Sequence, residues 1–165
     1  MPGHVDTERH LYDLIKDFRT AMLVSQSSAG EWHARPMAVA ELRPDADAFF
    51  VTRADSPKVL EIEHDPRVIV TFQSNSVFAT VNGRAQLVQD QGLIERLWSP
   101  TWKMWFPAGP ADPSLLLIRV DAVDAEYWDN SGLQGGKFVF AGLRAVLSGA
   151  CPESDEKQHA KVQLG

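Results

Sequence analysis

Three stretches of this 165-residue chain carry side chains suited to chemistry. Ser56-Pro57-Lys58 follows the apolar run Phe49-Phe50-Val51-Thr52, an order that predicts a strand, a short turn and a helix start. Ser is a good N-cap, and Pro at the first helical position loses no needed N–H. Such a start presents unpaired backbone N–H groups and a partial positive charge, to which Lys58 adds a full one. The chemistry is the seating of a phosphate or another anion. Ser-Pro-Lys also opens many helices that bind nothing, so the triplet needs company.

Arg35-Pro36-Met37 interrupts an otherwise good strand pattern. Pro cannot donate to a ladder, so it marks an edge, a bulge or a place where something other than a strand approaches. Arg offers a forked, permanently charged donor set that matches phosphate. The plainer reading is an edge strand with a solvated arginine. The third stretch is aromatic, with Trp98, Trp102 and Trp105 inside eight residues. Aromatic stripes more often fill a core or a subunit interface than a ligand box. Trp105-Phe106-Pro107, however, sits in a broken segment from which a ring could reach a site on a neighbouring subunit.

The rest of the composition narrows the choice. The formal net charge of −6 argues against nucleic acid and anionic membrane surfaces as partners, so an anionic ligand must be held by local positive charge. Cys151 is the only cysteine, which excludes an intrachain disulfide and argues against a thiolate metal site. The five histidines are scattered without metal-ligand spacing, and no metal is expected. No nucleophile elbow, P-loop or dinucleotide fingerprint is present, and no acidic pair stands out as a catalytic couple. No apolar run approaches the roughly 20 residues of a membrane span, and the N-terminus has no basic-then-apolar leader. The expected compartment is the cytoplasm.

These residues need a scaffold, and the periodicity supplies one. Residues 6–19 read as an amphipathic helix capped by Asp6 or Thr7, with Leu11, Leu14, Ile15 and Phe18 on one stripe. Period-two patterns follow over 21–27 and 32–42, around the hairpin signal Ser28-Ala29-Gly30-Glu31. Further strands are predicted over 48–53, 68–73, 77–87 and 115–128. The stretch 90–106 reads as a helix interrupted at Pro100, 107–113 as a rigid connector, and 138–147 as a further helix. From Pro152 onward a polar tail is expected. About six strands joined mostly by short turns favour one antiparallel domain over 1–165, mainly β with peripheral helices, closed into a small barrel to remove its edges.

Taken in order, the motifs resemble the FMN-binding split barrels related to pyridoxamine phosphate oxidase, most of all the bacterial general stress protein branch. The matching text is Ala34-Arg35-Pro36-Met37, Phe50-Val51-Thr52, Ser56-Pro57-Lys58-Val59, Asp65-Pro66-Arg67-Val68 and Val81-Asn82-Gly83-Arg84-Ala85. It continues through Leu97-Trp98-Ser99-Pro100, Trp105-Phe106-Pro107 and Ala125-Glu126-Tyr127-Trp128-Asp129, so that the similarity covers about 11–132. The resemblance implies an antiparallel split β-barrel and a homodimer with two FMN sites at the subunit interface, FAD being an alternative cofactor. It implies that Arg35, Ser56 and Lys58 hold the phosphate and that Pro36, Met37, Val51 and Thr52 line the isoalloxazine. Trp105 would come from the other subunit. It further implies a flavin-dependent oxidoreductase of unassigned substrate, or else a flavin carrier or sensor without turnover. Phe78 stands where the family pattern has a Tyr, which argues against a specific proton donor there, and no catalytic acid or base is nominated.

Overall fold

The computed structural model describes residues 3–131 and 159–164. Its elements run α1 (Gly3–Ile15), β1 (Thr20–Gln26), β2 (Trp32–Leu42), β3 (Ala48–Arg53), α2 (Pro57–His64), β4 (Arg67–Gln73) and β5 (Val77–Val88). Then come α3 (Gln91–Leu97), β6 (Leu115–Asp129) and β7 (His159–Gln163), with 3-10 turns at Pro100–Met104 and Gly109–Ala111. The strand order is β3-β2-β1-β4-β5-β6-β7, and an additional β3–β6 pairing closes the first six into a barrel. Every pairing is antiparallel. β6 is the strand that splits the barrel. β5 lies along one of its edges, while its other edge pairs with β3 over Leu115–Val120 and with β7 over Asp124–Trp128. The antiparallel split barrel expected from the sequence is the fold observed.

Alternation builds the interior. Val77, Ala79, Val81, Gly83 and Ala85 of β5 are buried, and the residues that alternate with them are more exposed. The bulge between Asn82 and Gly83 needs a residue without a side chain, because a Cβ at Gly83 would stand 2.6 Å from Val120 Cγ1 and 2.7 Å from the Asp121 carbonyl oxygen. β3 is buried on both faces, which is why it reads as a continuous apolar run rather than an alternating one. Phe50 packs into the barrel interior. Val51 belongs to a second cluster with Ile94, Trp102, Phe106, Leu115 and Leu117, where α3 and the first 3-10 turn cover β3 and β6.

Four expectations need correction. α1 begins at Gly3 and ends at Ile15, so Asp6 and Thr7 lie inside it and not at its N-cap position. The helix expected over 90–106 ends at Leu97, and a 3-10 turn takes over at Pro100. Pro lacks the N–H that an α-helix needs, and it pushes the residue before it out of the helical region. The connector 107–113 contains a 3-10 turn of its own. The polar tail is in part a seventh strand, since His159–Gln163 adds to β6. Its five residues carry one buried apolar side chain, Val162, so only pairing with a distant edge reveals it. The helix expected over 138–147 lies outside the described residues. Among the described residues no helix is long and apolar enough to cross a membrane.

Candidate functional site

The site lies where two strands part. β2 pairs with β3 only as far as Val39–Phe50. Toward its N-terminus β2 keeps β1 as its partner, and β3 runs on to Arg53 beside β6. The amide of Val39 points to the β1 side, donating to the Arg19 carbonyl at 3.0 Å. Alternation along the strand therefore turns the nitrogen of Pro36 to the opposite side, where no partner strand needs a donor. The sequence signal at Pro36 thus marks a real gap in the ladder.

That gap holds a cavity of about 410 Å3. Pro36, Met37 and Ala38 form one wall and Val51, Thr52 and Arg53 the other. Asp55, Ser56 and Lys58 close the end at the start of α2, and Trp105 and Phe106 come from the segment after the first 3-10 turn. The volume is in the range of small-molecule sites, about 300–1,000 Å3. Of the eight residues nominated from the sequence, Pro36, Met37, Val51, Thr52, Ser56 and Lys58 line this cavity, and Trp105 lines it too, but from the same chain and not, as expected, from a neighbouring subunit.

Lys58 is the cation of the pocket. Ser56 occupies the N-cap position in extended conformation, yet its side chain makes no cap bond. Lys58 Nζ instead donates to Ser56 Oγ at 2.5 Å and to Thr52 Oγ1 at 3.1 Å. Among the described residues no carboxylate lies within ion-pair distance of this ammonium. Burial pushes the Lys58 amine below its ordinary value, the Arg35 charge pushes the same way, and Glu61 offsets part of the effect. A half-buried ammonium held by two neutral hydroxyls is a donor set that suits a phosphate monoester, whose charge would supply the missing counter-ion.

Arg53 and Asp55 staple the rim. Arg53 donates from Nε and Nη2 to the two oxygens of Asp55, each at 3.0 Å, and from Nη1 to the Trp105 carbonyl at 3.4 Å. The hydrogen bonds from Arg53 hold the Asp55 carboxyl below the usual range. Trp105 itself remains 49% exposed and Met104 75%. Trp102 is core, edge-on to Trp98 with ring centroids 5.8 Å apart. The aromatic cluster therefore divides into packing and one exposed indole.

Arg35 is not among the lining residues. Its Nη2 donates to Glu61 Oε2 at 2.7 Å, and its Nη1 donates to Ser25 Oγ at 2.5 Å and to the Leu23 carbonyl at 3.4 Å. Ser25 Oγ donates to the same Glu61 oxygen, and His33 Nδ1 lies 2.6 Å from Glu61 Oε1. Burial pushes Glu61 up, but the bonds from Ser25, His33 and Arg35 outweigh it and bring the carboxyl to about 2. An ionised carboxylate only accepts, so His33 carries a proton on Nδ1. Sequence reasoning missed this cluster because its members are scattered in the chain, and a Glu on a charged-looking helix shows no sign of being buried. Arg53 and Asp55 were equally silent, reading as ordinary turn residues. Phe78 is half-buried on β5, opposite Gln73 and Trp128, and does not line the cavity.

A family described as "Pyridoxamine 5'-phosphate oxidase like" matches residues 6–153 of the chain. The chain belongs to that family. Protein bli-3 of Neurospora crassa is 30% identical over 144 residues, which cover 76% of this chain and 69% of that one. Among solved structures, the general stress FMN/FAD binding protein of Xanthomonas citri is 30% identical, with a TM-score of 0.63 over 78% of this chain and 89% of that chain. A general stress protein 26 candidate from Jannaschia sp. CCS1 has a TM-score of 0.74 over 96% and 98% of the two chains, at 20% identity.

Proposed function

We propose that this chain binds FMN in the cavity between β2 and β3 and serves as a flavin-dependent oxidoreductase, working as a homodimer. The observation that carries the reading is Lys58, a half-buried cation beside two hydroxyls and, among the described residues, with no carboxylate within ion-pair distance, at the end of a cavity of suitable size. Lys58, Ser56 and Thr52 would hold the phosphate, with Arg35 adding its charge from behind. Pro36, Met37 and Val51 would border the ring system, largely through backbone. The FMN/FAD binding named for the Xanthomonas citri relative supports a flavin as the ligand. FMN, when bound, supplies reversible transfer of electrons and hydride. The protein's own part is to seat the phosphate, exclude water with Met37, Val51 and Phe106, and keep one side of the pocket open.

The exposed Met104 and Trp105 beside the cavity support a dimer, because a second subunit would cover apolar surface that a lone chain leaves wet. A second reading, a flavin carrier or sensor without turnover, draws on the ionisable groups of the pocket. Asp55 is bound to Arg53 by both oxygens, and Lys58 is committed to two hydroxyls, so neither is poised as an acid or base.

The test is titration of flavin-stripped protein with FMN and with riboflavin, read by flavin and tryptophan fluorescence. FMN should bind far more tightly than riboflavin. Equal affinities would remove the phosphate seat. Oxidation of NADH or NADPH by the loaded dimer then separates the oxidoreductase from the carrier.

A further inference from the structure

None of Ser25, His33, Arg35 and Glu61 lines the pocket, yet hydrogen bonds join the four into one cluster. Its members come from β1, β2 and α2, and its centre is a carboxylate only 7% exposed. The guanidinium of Arg35 has two bonds on Nη1 and one on Nη2, all to protein groups. Glu61 lies one helical turn after Lys58 on α2. A cation and an anion are thus fixed together, off the cavity wall and close enough that both charges act on Lys58.

We infer that Glu61 is a positioning residue of the anion seat: by pinning Arg35 behind the cavity, the Arg35–Glu61 pair governs Lys58, and through it the hold on a phosphate monoester, without touching the ligand. This rests on the FMN reading for its ligand but not for its electrostatics. The arrangement has a physical use. Two bare cations in one half-buried pocket would repel each other and drive one of them to lose its proton. A carboxylate bound to Arg35, one helical turn from Lys58, offsets that repulsion and leaves the three groups with one net positive charge. The groups facing Glu61 are Ser25, His33 and Arg35, with Lys58 on its own helix and Glu31 3.8 Å from the far side of His33. Those facing Lys58 are Thr52, Ser56, Arg35 and Glu61, with Arg53 and Asp55 elsewhere on the pocket lining.

Two variants push in opposite directions. Glu61→Gln removes the negative charge, so the Lys58 ammonium should titrate at lower pH than in the wild type. Arg35→Gln removes the positive charge and should move it to higher pH. Lys58 is followed by NMR of its side chain in ligand-free protein, assigned with Lys58→Arg. At neutral pH, Glu61→Gln should tighten FMN by roughly threefold or more, since the seat gains net positive charge, and leave riboflavin unchanged. That advantage over the wild type should shrink at alkaline pH, where the variant's Lys58 loses its proton first. Shifts of Lys58 in the two expected directions, with the FMN-specific change, support the inference. Unmoved Lys58 titration in both folded variants overturns it, as does equal weakening of FMN and riboflavin. A wild type that binds no FMN but shows opposite Lys58 shifts overturns the FMN reading and leaves the control of Lys58 standing.

Discussion

Lys58 and Glu61 stand three residues apart on the same helix, and the structure treats them in opposite ways. Glu61 is saturated, with Ser25, His33 and Arg35 around its two oxygens. Among the described residues Lys58 donates hydrogen bonds only to hydroxyls. A buried charge with every partner in place is a finished structural element, whereas one with neutral partners alone is stable only because it is half in water. The difference teaches where to look for a ligand. It belongs beside the group whose electrostatics are incomplete.

The largest effect that would test this contrast is on the saturated side. Glu61→Ala should destabilise the protein by about 3 kcal/mol, because it strands a mostly buried guanidinium. Urea unfolding measures this, and a loss below about 1 kcal/mol would show that the cluster is not the finished element described.

Acid should reveal the same asymmetry. Glu61 has its folded value lowered from 4.5 to about 2. The stability it contributes is therefore fully present above pH 4.5 and lost as the pH falls toward 2, an effect of about 3 kcal/mol. Asp65, lowered to about 2 by its bonds from Arg67, titrates in the same window but is solvent-screened. Unfolding free energies of wild type and Glu61→Gln from pH 6 to 2 should converge, and parallel curves would refute the assignment. For Lys58 the sign reverses. Its folded value is depressed, so its charge costs stability at neutral pH, and the cost is relieved as the pH rises toward 10.5.

Lys58→Ala should weaken FMN binding by about 1–3 kcal/mol, the scale of a charge-assisted hydrogen bond, with little loss of stability. Fluorescence titration and thermal unfolding on one sample check both halves. An unchanged affinity in a folded protein removes Lys58 from the seat. The smallest effect is expected for Trp105→Ala, since that indole is half exposed and the backbone of Trp105 is what Arg53 holds. FMN affinity should fall by less than about 1 kcal/mol in the monomer, and a larger loss confined to the dimer would mark the ring as reaching a neighbouring subunit's site.

The sequence alone went far on this chain because its signals were local. Period-two runs, and for β3 a continuous apolar run, located β1 to β6 within a residue or two, and Ser56-Pro57 placed the start of α2. Pro36 flagged the break in β2 pairing, and the pocket residues on β2, β3 and α2 follow from those three elements. Local chemistry could not say what Arg35 would bind. A guanidinium in an Arg-Pro-Met strand suits phosphate, and only the approach of Ser25 and Glu61 across β1 and α2 commits it to a carboxylate. The strand at His159–Gln163 is likewise invisible without the β6 edge that receives it. The sequence by itself determined β1 to β6, the start of α2 and the identity of the cation there, because backbone propensity and periodicity act over a few residues. The tertiary structure alone decided which charges are neutralised and which is left for a ligand, because Coulombic partners are chosen by distance in space and not by distance along the chain.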